Sequence, residues 1–399
     1  MNYSTLSKNL TQQLSKEDKK KQGIYFTPPD FIKQNLELLK PFVAEITYVL
    51  EPSCGSGEYI QALQNTFSNV QIVGVEQNSH IYTSILSLQN EKTIIYYQDY
   101  LEFTTELKFD LIIGNPPYYV MKKEEVNKEY HKYFEGRPNI FILFLIKSLS
   151  LLHENGILSF VLPKSFLNCL YYEKTRKYIN ESFQILYIIE CKEKYLETQQ
   201  ETILFMIQKK ELVNNNEFMI NIHDNIIFSL PENICKLKEL YKDSISLFEL
   251  GFKVSVGNVV WNQCKDILTN DETKTRLIYS SDIEKDKIIL KKYSNSDKKN
   301  FINKPGISKP MILLNRGYGN GKYKFEYCFI HDLKEYLIEN HIICIEYKKE
   351  LPHDELVLLY EKILLSFQNK KTLQFIQFYF GNNAINTTEL NYLLPIYMS

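Results

Sequence analysis

Apolar and polar positions change period regularly over the first half of the 399-residue chain. Short runs rich in Val, Ile, Leu and Tyr at residues 48–50, 71–76, 93–98, 109–113, 157–162, 185–190 and 202–208 read as strands, because each is bounded by turn formers. Helical spacing occupies residues 31–39, 59–67, 80–89 and 140–153, and Pro29 suits the first turn of a helix. Alternation of the two patterns predicts βαβ units, a parallel sheet and an α/β fold. After the long apolar helix at 140–153, Glu154-Asn155-Gly156 reads as its C-terminal stop.

Past residue 210 the rhythm loosens into Asn- and Lys-rich loops. Short strands are expected at 253–260 and 311–314 and a helix at 354–368, with no internal repeat. Three segments follow: a polar, partly helical lead-in (1–22), a sheet domain (23–210) and a C-terminal mixed α+β domain (211–399).

Composition narrows the class. A hydrophobic fraction of 44% supports ordinary buried cores. Lys+Arg 47 against Asp+Glu 48 leaves a net charge of −1, so any nucleic-acid surface must come from local clustering. The polar N-terminal residues lack the apolar core of a signal peptide and no run is long enough for a bilayer, so a cytoplasmic protein without membrane contact is expected. Seven cysteines form no Cys-x-x-Cys pair and meet no His-rich spacing, which argues against a disulfide framework and against a metal site.

The chemistry concentrates after strand ends, where α/β folds place their ligands. Asn115-Pro116-Pro117-Tyr118 follows the run 109–114; the prolines stiffen the loop, Asn115 brings a side-chain carbonyl and Tyr118 a flat ring. Such a loop suits a planar, amine-bearing group. Upstream, Glu51, Pro52, Cys54, Gly55 and Gly57 lie between a strand and a helix, where glycines admit a ligand close to the backbone, although the third glycine of a dinucleotide fingerprint is missing. Glu76 ends the next strand at the spacing of an acid that accepts ribose hydroxyls. Asp99 and Tyr100 end the third strand, a carboxylate for an exocyclic amine and a ring for a purine face. Singly, a Gly-Ser-Gly turn is often only a turn and an acid at a strand end is often only solvated; the ordered set carries the reading.

Together these residues resemble the S-adenosylmethionine-dependent methyltransferases that act on amino groups, specifically the gamma-type N6-adenine DNA methyltransferases related to the TaqI enzyme. The resemblance spans about residues 23–210 and implies a Rossmann-like catalytic domain followed by a target recognition domain. It assigns Tyr25, Thr27 and Pro28 to the methionine part of the cofactor, the 51–57 loop, Glu76, Asp99 and Tyr100 to the rest of it, and Asn115 and Pro117 to its reactive end. Residues 115–118 become the catalytic motif. Asn115 and the Pro116 carbonyl accept the two N–H groups of an adenine amine, and Tyr118, with Tyr195 as a looser match, stacks on the rotated-out base. Double-stranded DNA is the implied partner, with a separately encoded restriction endonuclease as a second. Residues 250–262, 309–318 and 381–396 partly resemble the family's recognition domain. There Arg316, beside Gly317 and Tyr318, suits a bidentate contact to guanine, and the lysines of 285–304 and 322–324 suit phosphates.

Other readings share parts of this pattern. Protein-glutamine and RNA-guanine N-methyltransferases use the same Asn-Pro-Pro-Tyr loop, and the Thr-Pro-Pro element and long trailing region weigh against them. Asp332, Glu346 and Lys348 have the outline of a nuclease metal site, which would make a bifunctional enzyme; a charged strand end explains them as well. A binding module without turnover is disfavoured by the intact acceptor loop.

Overall fold

The computed structural model describes residues 3–193, 195–198, 200–316, 325–332, 334–380 and 386–398. The chain forms two compact units, Met1–Ile234 and Cys235–Ser399. Two helices open the first unit, α1 (Thr5–Gln13) and α2 (Lys16–Gln22), capped by Ser4 and Ser15, whose hydroxyls accept first-turn N–H groups. Helix α3 (Pro29–Leu39) begins on Pro29, where a missing N–H costs nothing.

There follow β1 (Tyr48–Glu51), α4 (Glu58–Thr66), β2 (Gln71–Glu76), α5 (Ser79–Ile85), β3 (Thr93–Tyr97), β4 (Phe109–Gly114), α6 (Ile140–Leu151), β5 (Leu152–Pro163), α7 (Glu173–Ser182), β6 (Phe183–Glu190) and β7 (Thr202–Lys209). All seven strands join one sheet in the order β3-β2-β1-β4-β5-β7-β6. Strand periodicity sorts its two faces. Leu50, Val73, Ile112, Leu158 and Phe160 face a core shared with α6 and α7, whereas Val49, Ile72, Leu111, Ile113 and Ile157 face one shared with α3 and α4. Because both faces are covered, the strands read as apolar runs rather than as alternation.

Three sequence expectations change. The sheet is not wholly parallel, since β7 pairs antiparallel with both β5 and β6. A parallel return needs a crossover, usually through a helix; the described residues of the 191–201 connection hold none, so the chain doubles back as a hairpin. The residues Glu154-Asn155-Gly156 do not stop a helix but lie inside β5, where the β4 ladder breaks between Phe109 and Leu111. Asn155 has φ 65°, and a Cβ at Gly156 would lie 2.9 Å from the carbonyl oxygens of His153 and Phe109, so the segment is a bulge. Finally, residues 1–22 are more than a lead-in: Leu10 is fully buried, and Lys19 is buried with its ammonium bonded to Glu197 at 2.7 Å.

The first unit also extends beyond residue 210. A hairpin of β8 (Met219–Ile222) and β9 (Asn225–Phe228) places Phe228 6.0 Å from the Phe205 ring, and the Ile226 carbonyl accepts from buried Arg176 at 2.6 Å. These apolar contacts move the boundary to Ile234.

Helix α8 (Pro231–Tyr241) carries the chain into the second unit. This unit contains β10 (Phe252–Val256), β11 (Leu268–Thr269), β12 (Thr275–Ile278), β13 (Ile283–Glu284), β14 (Lys287–Ile288), β15 (Phe301–Ile302), β16 (Met311–Asn315), β17 (Tyr327–Ile330), β18 (Tyr336–Ile338) and β19 (Ile342–Tyr347). One antiparallel sheet runs β10-β19-β16-β17; a mixed one runs β11-β15-β12-β18. Helix α9 (His353–Gln368) follows. Buried Asp282 fixes the interior, meeting Arg276 at 2.7 Å and Tyr293 at 2.7 Å. No helix among the described residues is long and apolar enough to cross a membrane.

Candidate active site

A cleft opens at the carboxyl ends of β1, β2 and β4. Each strand delivers one polar group: Glu51 closes β1, Glu76 closes β2, and Asn115 follows Gly114 of β4. The same cleft is lined by Tyr25, Thr27, Pro52, Cys54, Gly55, Tyr100 and Pro117.

Between β1 and α4 the chain turns tightly, with the Cys54 N–H on the Val75 carbonyl at 3.0 Å and the Gly57 N–H on the Cys54 carbonyl at 2.8 Å. Gly55 (φ 52°) donates its N–H to Glu76 Oε2 at 2.9 Å, and Asn78 donates to Oε1 at 2.7 Å. The carboxylate is thereby aimed across the cleft. Burial pushes Glu76 up to about 7, against the pull of these backbone donors. Glu51 is held well above the usual carboxylate range by burial first and then by the charge of Glu76, and its Oε2 is buried with no hydrogen-bond partner. Among the described residues no Lys, Arg or His lines the cleft. Three acidic side chains, Glu51 with its orphaned oxygen, Glu58 and Glu76, with no facing cation among the described residues, fit a cationic ligand bearing hydroxyls and repel a pyrophosphate.

Not every predicted cofactor residue reaches the cleft. Gly57 (φ 74°) caps α4 outside the cleft lining, and its left-handed backbone is what calls for glycine there. Pro28 is the N-cap residue of α3. Half-buried Asp99 accepts the Leu101 N–H at 2.8 Å and lies outside the lining. Tyr100 forms part of the wall, its hydroxyl 2.9 Å from Ser148 and its ring 4.9 Å from Phe144.

Residues 115–118 stand at the cleft mouth. Asn115 Nδ2 donates to the Tyr25 carbonyl at 3.0 Å, while its Oδ1 accepts from the Tyr118 hydroxyl at 2.6 Å. That hydroxyl also lies 2.6 Å from the Val161 carbonyl of β5. The Tyr118 ring meets Phe141 edge-on, and burial raises its phenol well above the usual range. Pro116 is buried and outside the cleft lining. Gly23 explains how two distant segments come so close: it is left-handed (φ 67°), and a Cβ would sit 2.7 Å from the Tyr118 nitrogen and 2.9 Å from Pro117 Cβ. Tyr195, in the 191–201 connection, places its hydroxyl 2.9 Å from Thr202 Oγ1 and shares a small crevice with Tyr25 and Phe26.

Ser53 and Ser56, taken in the sequence only as part of the 51–57 loop, line the cleft; sequence reasoning missed Phe26 and Glu58, which line it too, and Ser7, which bonds Ser56 at 2.8 Å. Phe26 sits inside the 23–28 element and was within reach; a serine in a polar helix carries no signal. Arg316 is exposed just after β16, whereas Gly317, Tyr318, residues 322–324 and residues 381–385 lie outside the described residues. The Glu346 carboxylate is taken by Lys348 at 2.6 Å and Lys309 at 3.2 Å, and Asp332 lies 2.8 Å from His331. Among the described residues no three His, Cys, Asp or Glu side chains converge on a possible metal.

Comparison with known proteins places this geometry. Residues 58–196 match the Eco57I restriction-modification methylase family model. The chain is 30% identical over 341 residues to the type II methyltransferase M.CvrRI of Paramecium bursaria Chlorella virus XZ-6E, covering 84% of this chain and 85% of the relative. It is 26% identical over 362 residues to the modification methylase CviBIII of Paramecium bursaria Chlorella virus NC1A, covering 86% and 88%. A solved DrdV–DNA complex shares the fold at a TM-score of 0.53 and 12% identity, covering 94% of this chain and 55% of that one. The matched family model and both of these relatives are methylases, at 30% and 26% identity for the relatives. With that identity held over most of both sequences, the chain belongs to the type II methyltransferases of restriction-modification systems.

Proposed function

We propose that the protein is a site-specific DNA adenine-N6 methyltransferase of the gamma arrangement, acting on an adenine rotated out of duplex DNA as the modification enzyme of a restriction-modification system. The observation that carries this reading is Asn115, whose side chain is fixed from both ends at the mouth of a cleft that fits the methyl donor. When bound, S-adenosylmethionine supplies an electrophilic methyl group on a sulfonium.

Glu76 accepts the ribose hydroxyls, Glu51 faces the methionine ammonium, and Tyr25 and Thr27 bound the methionine end. Tyr100, with the 52–56 loop, holds the adenosine. An adenine amine is a poor nucleophile because its lone pair is delocalised into the ring. Asn115 Oδ1 and the Pro116 carbonyl each accept one N–H, which localises the pair and stabilises positive charge on N6 as the N–C bond forms and the S–C bond breaks. Neither group is a strong base; the surplus proton leaves to water. Tyr118 and Tyr195 supply aromatic surface for the extruded base. Arg316 in the second unit reads a guanine edge, and neighbouring lysines meet phosphates.

Methyl transfer from labelled S-adenosylmethionine to unmethylated plasmid DNA, bulk RNA and a release-factor protein tests the reading. N6-methyladenine in the digested DNA, absent with Asn115→Ala, is the expected result. Label in RNA or protein with none in DNA overturns it.

A further inference from the structure

The N-terminal helices lie outside the matched segment 58–196, yet they hold the site at two places. On one side Ser7 Oγ bonds Ser56 Oγ at 2.8 Å and Glu58 Oε1, and Glu58 also accepts the Ser4 N–H at 3.2 Å. Ser56 and Glu58 line the donor cleft. On the other side Lys19 of α2, only 4% exposed, donates to Glu197 at 2.7 Å and to the Thr11 carbonyl at 2.7 Å. Tyr3 reaches the Leu196 backbone. Glu197 and Leu196 follow Tyr195 directly, in a connection whose described residues form neither helix nor strand.

Burying an ammonium costs several kcal/mol unless a partner offsets it, so a lysine that serves only solubility stays in water. Lys19 instead directs its charge to a loop far away in sequence. We propose that α1 and α2 form a strap joining the two substrate sites, with Lys19 a positioning residue that acts through Glu197 to present Tyr195 to the acceptor base. The inference rests on the stacking role assigned to Tyr195 above. It deepens that role by naming what fixes the ring.

The test uses the full chain and unmethylated plasmid DNA. Lys19→Ala and Glu197→Ala are each expected to raise the KM for DNA or lower kcat roughly 10-fold, with a double variant no worse than either single one. The S-adenosylmethionine Kd is expected to stay within about twofold, because Glu51 and Glu76 are untouched. The charge-reversed pair Lys19→Glu with Glu197→Lys is expected to recover part of the loss. Full activity in both single variants, or additive losses that only follow a falling denaturation midpoint, overturns the proposal. If Lys19→Ala does not fold, Glu197→Gln, which neutralises the loop and keeps its shape, decides on the same criteria. Tyr195→Ala separates the two levels. Full activity there removes the stacking role itself, whereas a loss there beside unimpaired Lys19 and Glu197 variants removes only the strap.

Discussion

The Tyr118 hydroxyl lies 2.6 Å from Asn115 Oδ1 and 2.6 Å from the Val161 carbonyl oxygen. A phenol has one hydrogen for these two acceptors, so the tyrosine secures the Asn115 amide without monopolising it. In the proposed mechanism an entering amine takes the Asn115 oxygen while the phenol turns to Val161. Tyr118→Phe keeps the ring and loses this shared proton. Turnover is expected to fall about 10-fold, the worth of one hydrogen bond to a positioned group, with the cofactor Kd nearly unchanged. Single-turnover methylation beside calorimetric cofactor titration measures both.

Asn115→Ala removes the acceptor itself. Because that acceptor acts mainly on charge developing in the transition state, kcat is expected to fall by at least about 100-fold with cofactor binding largely retained. Undiminished activity in the purified variant would end the proposed mechanism.

Burial raises Glu76 to about 7, so the apo protein is partly protonated there near neutrality. Ribose hydroxyls favour the carboxylate, so binding pulls the pKa down and expels a proton. Cofactor affinity is therefore expected to rise with pH through about 7 and to level off above it, and Glu76→Gln to flatten the profile. The stability sign is opposite: with a folded pKa above the unfolded one, this group favours the apo fold at low pH, and that contribution fades as pH rises from about 4.5 to about 7. Calorimetry in buffers of different ionisation enthalpy counts the released proton.

Gly23→Ala would set a methyl group 2.7 Å from a backbone nitrogen of the acceptor loop at a left-handed φ of 67°. Neither that nitrogen nor the nearby Pro117 ring is the free end of a flexible side chain, so residues 115–118 must shift. A stability loss of about 2–4 kcal/mol is expected, together with a kcat loss greater than any change in cofactor Kd. Urea unfolding and kinetics on one preparation measure both.

In the second unit Asp282 is fully buried, with Arg276 and Tyr293 both at 2.7 Å. Asp282→Ala leaves the Arg276 charge without its partner and is expected to destabilise this unit by about 3–5 kcal/mol. Loss of DNA binding at a temperature where the cofactor still binds would show the first unit to survive.

The seven strands, helices α3 to α6 and the order of chemical motifs were legible in the sequence, because burial on both sheet faces writes apolar runs and strand ends leave acids and glycines at fixed places, whereas the polar helix α7 was not. Asn115, Glu51 and Glu76 were singled out this way, by residue type next to a strand end, and the fold brings the three to one cleft. Tertiary structure decided the rest. The direction of β7 depended on a connection whose described residues hold no helix, and local periodicity does not encode direction. Gly57 holds a left-handed φ of 74° at the start of α4 and lies outside the cleft lining, and the helix stop expected after α6 was instead a bulge at Glu154-Asn155-Gly156 imposed by the β4 ladder. The role of residues 3–22 was illegible for the same reason: a polar helix looks solvated until the partners of Ser7 and Lys19, distant along the chain, are brought to it by the fold.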